Sequence, residues 1–130
     1  MAHDSTSTRT AASRVRYLGS AKSGAAENWA MRVTATALFP LSIGFVCIIA
    51  SLAGKDYAAA RAELSHPFAA LTLLLFILAG VYHMKLGMQT IIDDYVHDAH
   101  WKDWSLIANL FFCLGVGLAC VYAALKLSFV

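Results

Sequence analysis

Four side chains close together in the second half of the sequence could do chemistry: His83, Lys85, Asp94 and Tyr95. His83 and Lys85 interrupt a run that is otherwise apolar. Ionisable groups inside such a run are costly in a membrane, so a functional role is the default hypothesis for them. At about 100° per residue, Phe76, Gly80, Gly87, Thr90 and Asp94 all fall within about 60° of His83 on a helix, whereas Lys85 lies about 200° round. One face therefore runs Phe76, Gly80, His83, Gly87, Thr90, Asp94, with a glycine on either side of the imidazole. Missing side-chain bulk at those positions suits close helix–helix contact. It suits a flat macrocycle lying against the helix equally well.

A neutral imidazole can ligate a haem iron, or it can hydrogen-bond a neighbouring helix. Periodicity does not choose between the two. His66 and His97 sit at the edges of apolar runs, and His3 and His100 lie outside them. A six-coordinate haem on His83 would therefore take its other ligand from a partner subunit. Asp94 lies roughly 16 Å further along the helix at 1.5 Å per residue, on the same face, with Tyr95 about 100° round from it. A phenol and a carboxylate at a membrane surface suit a quinone, whose tail stays in lipid while its ring needs hydrogen bonds and protons. The same pair also fits ordinary boundary chemistry, with Tyr95 in an aromatic belt and Asp94 as a helix stop.

The elements that must hold these residues follow from composition. Of the 130 residues, 59% are hydrophobic and only 14% charged. Soluble domains typically have about 45–50% apolar and about 25% charged residues, and a short chain cannot hide such an excess in one aqueous core. Disorder is excluded by the hydrophobicity. A disulfide scaffold is excluded because Cys47, Cys113 and Cys120 are odd in number and lie in apolar runs. A net charge of +2 gives no footing for nucleic acid.

The apolar residues form three blocks. Val33 to Gly54 and Ser105 to Leu125 carry no charge, and Pro67 to Ile92 is interrupted by His83 and Lys85. Each is continuous rather than alternating and reaches the roughly 17–25 residues that a membrane helix needs. The fold class expected is all-α and integral to the membrane, with three transmembrane helices over about 30–53, 68–92 and 104–127, part of a larger heteromeric bundle. Residues 1–29 are expected to form a polar, partly disordered segment with an interfacial end, and 30–130 the membrane domain. Arg9, Arg14, Arg16, Lys22 and Arg32 place the N-terminus inside. The loop after the second span is then inside and the C-terminus outside. Trp29, Tyr95, Trp101 and Trp104 would form the inner aromatic belt, with Tyr57 and Tyr122 toward the outer side. Gly115, Ala119 and Ala123 make a stripe suited to helix packing. Lys85 is expected to snorkel toward the inner headgroups, and Arg32 to act as a positive-inside anchor. His97, Asp98 and His100 lack the closed ligand set of a metal site.

The stretch His83-Met84-Lys85-Leu86-Gly87-Met88-Gln89-Thr90-Ile91-Ile92-Asp93-Asp94-Tyr95-Val96 resembles the second-helix motif of the hydrophobic membrane anchor subunit of succinate dehydrogenase (respiratory complex II), of alphaproteobacterial type. Arg32-Val33-Thr34-Ala35 resembles the Arg-x-Thr-Ala start of that family's first helix. The resemblance implies that His83 is an axial ligand of haem b, the second histidine coming from the cytochrome b556 anchor subunit. It implies that Tyr95, with Asp94 beside it, binds ubiquinone in a pocket shared with that partner and the iron–sulfur subunit. The chain would anchor the iron–sulfur and flavoprotein subunits to the bacterial inner membrane, rather than the mitochondrial one. It would be a non-catalytic subunit of a succinate:quinone oxidoreductase. Two other readings of the residues stand beside this one: a small anchor without a redox site, and a transporter subunit in which His83, Lys85 and Asp94 relay protons.

Overall fold

The computed structural model describes residues 23–129, which form four helices and, among the described residues, no strand. They are α1 (Ser23–Leu52), α2 (Tyr57–Leu64), α3 (Pro67–Tyr95) and α4 (Ala99–Phe129). Three of them are long and apolar enough to cross a membrane, over Gly24–Leu52, Pro67–Tyr95 and Ala99–Ser128. At 1.5 Å per residue each is more than 40 Å long, which exceeds the roughly 30 Å hydrocarbon layer.

The spans extend beyond the apolar blocks. α1 begins at Ser23 rather than near residue 30, so Ala25 to Trp29 are helical; residues 1–22 lie outside the described part. α4 begins at Ala99 rather than near residue 104 because Asp98 starts it, its Oδ1 accepting from the Trp101 N–H at 3.0 Å. Asp98 is thus a helix cap. α3 opens on Pro67, whose missing N–H costs nothing at the first helical position, with the His66 ring accepting from the Phe68 N–H. α1 ends in a turn at Gly54, which has a φ of 77°. Pro40 sits inside α1 and leaves its i−4 carbonyl without the usual donor.

The first loop contains a helix that its composition does not announce. Asp56 caps α2 by accepting from the Ala59 N–H at 2.9 Å. Glu63 accepts from Lys55 and from Ser51, which ties α2 to the end of α1. These bonds from Lys55 and then Ser51 hold the Glu63 carboxyl below its usual pKa. Ser65 Oγ donates to Leu127 O at 3.2 Å, fastening the same corner to the end of α4.

α3 is the middle of the structure. α1 packs on one side of it and α4 on the other, and the two flanking helices make little contact with each other. The α1–α3 pairing is antiparallel, with Glu27 opposite Gln89, Thr34 opposite His83, and Phe45 stacked on Phe76 at 4.6 Å between ring centroids. Two glycines permit the close approach. A Cβ on Gly44 would sit 3.0 Å from Thr72 Cγ2, and one on Gly117 would sit 3.2 Å from Val81 Cγ1. The expected stripe of Gly115, Ala119 and Ala123 does not pack on α3; it lies on the exposed side of α4. Asn109, Cys113, Gly117 and Ala124 make that contact side instead. The buried apolar core is correspondingly thin (Ala69, Leu86, Ile92, Cys113, Ala124), and most large apolar side chains face outward. Such a surface belongs in lipid or against other membrane helices.

Candidate functional site

The face that runs from Phe76 to Thr90 is turned toward α1. Phe76 stacks on Phe45, a Cβ on Gly80 would lie 3.9 Å from Leu38, and His83 meets Thr34. The His83 Nδ1 is 2.9 Å from Thr34 Oγ1, and that hydroxyl also lies 2.8 Å from Ala30 O and 3.0 Å from Met31 O. Both side chains are half-buried. Among the described residues Nδ1 is thus the imidazole nitrogen with a protein partner, and Nε2 has none. One turn on, Gly87 faces open space, with no atom within 4 Å of where a Cβ would be. Beside it, Leu86 and Thr90 line a cleft of about 400 Å³ against Gly24, Glu27, Asn28 and Met31 of α1.

The structure does not bring Asp94 and Tyr95 into contact with His83. Both are exposed at the far end of α3, Tyr95 to 78%. The neighbouring Asp93 is the residue that pairs within the chain, its Oδ1 2.9 Å from Lys102 Nζ. His97 Nδ1 donates to the Tyr95 carbonyl at 3.0 Å, which together with Asp98 defines the turn into α4. Among the described residues no group of three His, Cys, Asp or Glu side chains converges as a metal site would require. The antiparallel pairing puts Trp29, Tyr95, Trp101 and Trp104 at one end of the spans, all well exposed, as an aromatic belt requires.

Lys85 lies on a different side, as the helical angle requires. It lines an apolar groove of about 310 Å³ between α3 and α4, together with Tyr82, Leu114 and Gly117. Its Nζ donates to Gln89 Oε1, and Gln89 Nε2 in turn donates to Glu27 Oε1 at 3.2 Å. The lysine thus reaches along the helix toward its Tyr95 end, the direction in which a snorkelling side chain extends. Arg32 is exposed and lies with Trp29, Val33 and Thr36 on α1, away from His83.

Two polar residues of the interior were not singled out by sequence reasoning. Thr34 lies inside the Arg-x-Thr-Ala match but gives no sign in one dimension of what it faces. Asn109 carried a readable signal, an amide within an uncharged apolar block. It is buried, and its Nδ2 donates to Lys85 O at 3.0 Å while its Oδ1 accepts from Cys113 Sγ.

The fold and this site define a class: a multi-pass helical membrane subunit with a single oriented histidine in its central span. The sequence model of the succinate dehydrogenase/fumarate reductase transmembrane subunits matches residues 6–119. The chain belongs to that family. Among its relatives, a protein of Paracoccus denitrificans is 34% identical over 85% of both chains. One from Rickettsia conorii is 30% identical over 85% of this chain and 88% of its own. One from Rickettsia bellii is 28% identical over the same shares. Each is named as a succinate dehydrogenase hydrophobic membrane anchor subunit. No solved structure matches the chain significantly.

Proposed function

We propose that this chain anchors a succinate dehydrogenase in the bacterial inner membrane, that His83 is one axial ligand of a haem b, and that Tyr95 and Asp94 form part of the ubiquinone-reduction site. The observation that carries the haem assignment is the pairing of His83 Nδ1 with Thr34 at 2.9 Å, which leaves Nε2 for iron beside the open flank at Gly87. The donor set fits the group: one imidazole with one nitrogen engaged, and a glycine where a macrocycle would press against the helix. The other histidine would come from the cytochrome b556 anchor subunit. When bound, the haem would supply a one-electron store.

The chain's own residues then have separable tasks. Thr34 and the α1 backbone hold the imidazole ring. The Tyr95 phenol donates a hydrogen bond to a quinone carbonyl, and its 78% exposure leaves it free to face a pocket completed by the partner anchor and the iron–sulfur subunit. Asp94 orients that donor or passes protons from the inner side. Reduction of ubiquinone takes two electrons and two protons. The electrons originate at the flavoprotein subunit and arrive through the iron–sulfur subunit. The Arg-rich N-terminal segment, with Arg32 and the Trp29 end of α1, sets that side as inner. A proton relay through His83, Lys85 and Asp94 has less support, because Lys85 faces the α3–α4 groove while His83 faces α1.

The test is a reduced-minus-oxidised spectrum of the purified complex, wild type and His83→Ala. A b-type signal that is lost or displaced in the variant supports the ligand assignment. A complex with no such signal would favour a purely structural anchor.

A further inference from the structure

We infer that Thr34 is a positioning residue that fixes the tautomer of His83, holding the proton on Nδ1 so that Nε2 presents a lone pair to the iron. The inference rests on the haem reading above.

The Thr34 hydroxyl has one proton and three acceptors within reach: Ala30 O at 2.8 Å, Met31 O at 3.0 Å and His83 Nδ1 at 2.9 Å. Only two arrangements satisfy the group. In the first, the hydroxyl donates back to the α1 carbonyls, the usual bond of a threonine within a helix. Its lone pair then accepts from Nδ1–H, and Nε2 is the unprotonated nitrogen. In the second, the hydroxyl donates to Nδ1 and the ring proton sits on Nε2, where it blocks coordination. Two carbonyls of the preceding turn converge on the hydroxyl proton, and Thr36 makes the same i−4 bond to Arg32 O at 2.9 Å two residues on. The first arrangement therefore holds. The α1 backbone orients the hydroxyl, and the hydroxyl orients the imidazole.

An imidazole that donates its distal N–H is the more basic ligand. It favours ferric over ferrous iron, so the bond from His83 to Thr34 lowers the haem midpoint potential. The sign separates this role from simple packing. Thr34→Val keeps the shape of the side chain and removes the acceptor. Thr34→Ser keeps the acceptor and removes a methyl group.

The experiment is a redox titration and a low-temperature EPR spectrum of the haem in the whole purified complex. In Thr34→Val the midpoint potential rises and the low-spin signal shifts, whereas Thr34→Ser stays at the wild-type values. A tenfold change in the ferric-to-ferrous preference would appear as about 59 mV for this one-electron couple. If Thr34→Val does not assemble, Thr34→Ala supplies the same loss of acceptor with less apolar bulk. A haem that depends on His83 but has an unchanged potential and EPR signal in the hydroxyl-less variant overturns the inference and leaves the haem reading intact. A haem signal that survives His83→Ala unchanged overturns both.

Discussion

Tyr95 and His83 stand on one helix, yet their environments differ in kind. The imidazole is half-buried and tied to α1 through Thr34, while the phenol is 78% exposed at the helix end. A side chain so exposed has little structural work to do within this chain, so its substitution isolates the quinone contact proposed for it. In Tyr95→Phe the quinone reductase rate of the complex should fall about tenfold, the scale of one lost hydrogen bond of about 1.4 kcal/mol, with the haem spectrum retained. Unchanged quinone kinetics would remove Tyr95 from the site. His83, Asp94 and Tyr95 stand out as candidates in the sequence because a polar exception in an apolar run and a 3.6-residue period are one-dimensional signals. Thr34 does not. Periodicity states which residues share a face of one helix, but what that face meets depends on the register between helices. That register is fixed here by contacts such as Phe45 on Phe76.

At the scale of elements, hydropathy located all three spans, since an unbroken apolar run of that length has few other uses. It did not find their ends. Ser23 to Trp29 and Ala99 to Asp103 are polar and helical, and their ends are set by caps and by pairing such as Gln89 with Glu27. Nor did it show α2, whose stability comes from the Asp56 cap and the Glu63 bonds rather than from a periodic apolar face. The choice of packing glycines was equally hidden: Gly44 and Gly117 meet α3, while Gly115 faces open space. Gly44→Ala should therefore destabilise the α1–α3 contact by about 1–3 kcal/mol, as overpacking does. The cause is a single methyl group, because the new Cβ would lie 3.0 Å from Thr72 Cγ2. Thr72→Ser removes that methyl and keeps the hydroxyl bond to Phe68 O. Thermal melting of the complex should show the Gly44→Ala loss in the wild-type background and most of it recovered beside Thr72→Ser. Equal losses in the two backgrounds would mean that the helices meet elsewhere.

At the scale of the whole molecule, three spans arranged as a layer with α3 in the middle enclose nothing. α1 and α4 do not close around the His83 face, and large apolar side chains such as Phe39, Phe111 and Leu118 point outward. Lipid can cover those side chains, but it cannot supply an iron ligand. Among the described residues, His66 caps α3 at its start, and His97 and His100 lie in or beside the turn between α3 and α4. Both of the latter stand beyond the end of α3 at Tyr95, which is twelve residues, or about 18 Å of helix, from His83, too far for a histidine across the same macrocycle. On the haem reading proposed above, no second histidine among the described residues reaches that position, so the other ligand is expected from another subunit and haem binding from the assembled pair. Expressed without its partner anchor, the chain should reach the membrane fraction, since its spans satisfy their own backbone groups, but it should carry no b-type absorption. Co-expression with the partner should restore the absorption, and it should fail to do so with His83→Ala. One haem per two copies of the chain alone, lost in His83→Ala, would overturn the need for a partner anchor and would require two copies of α3 to face each other.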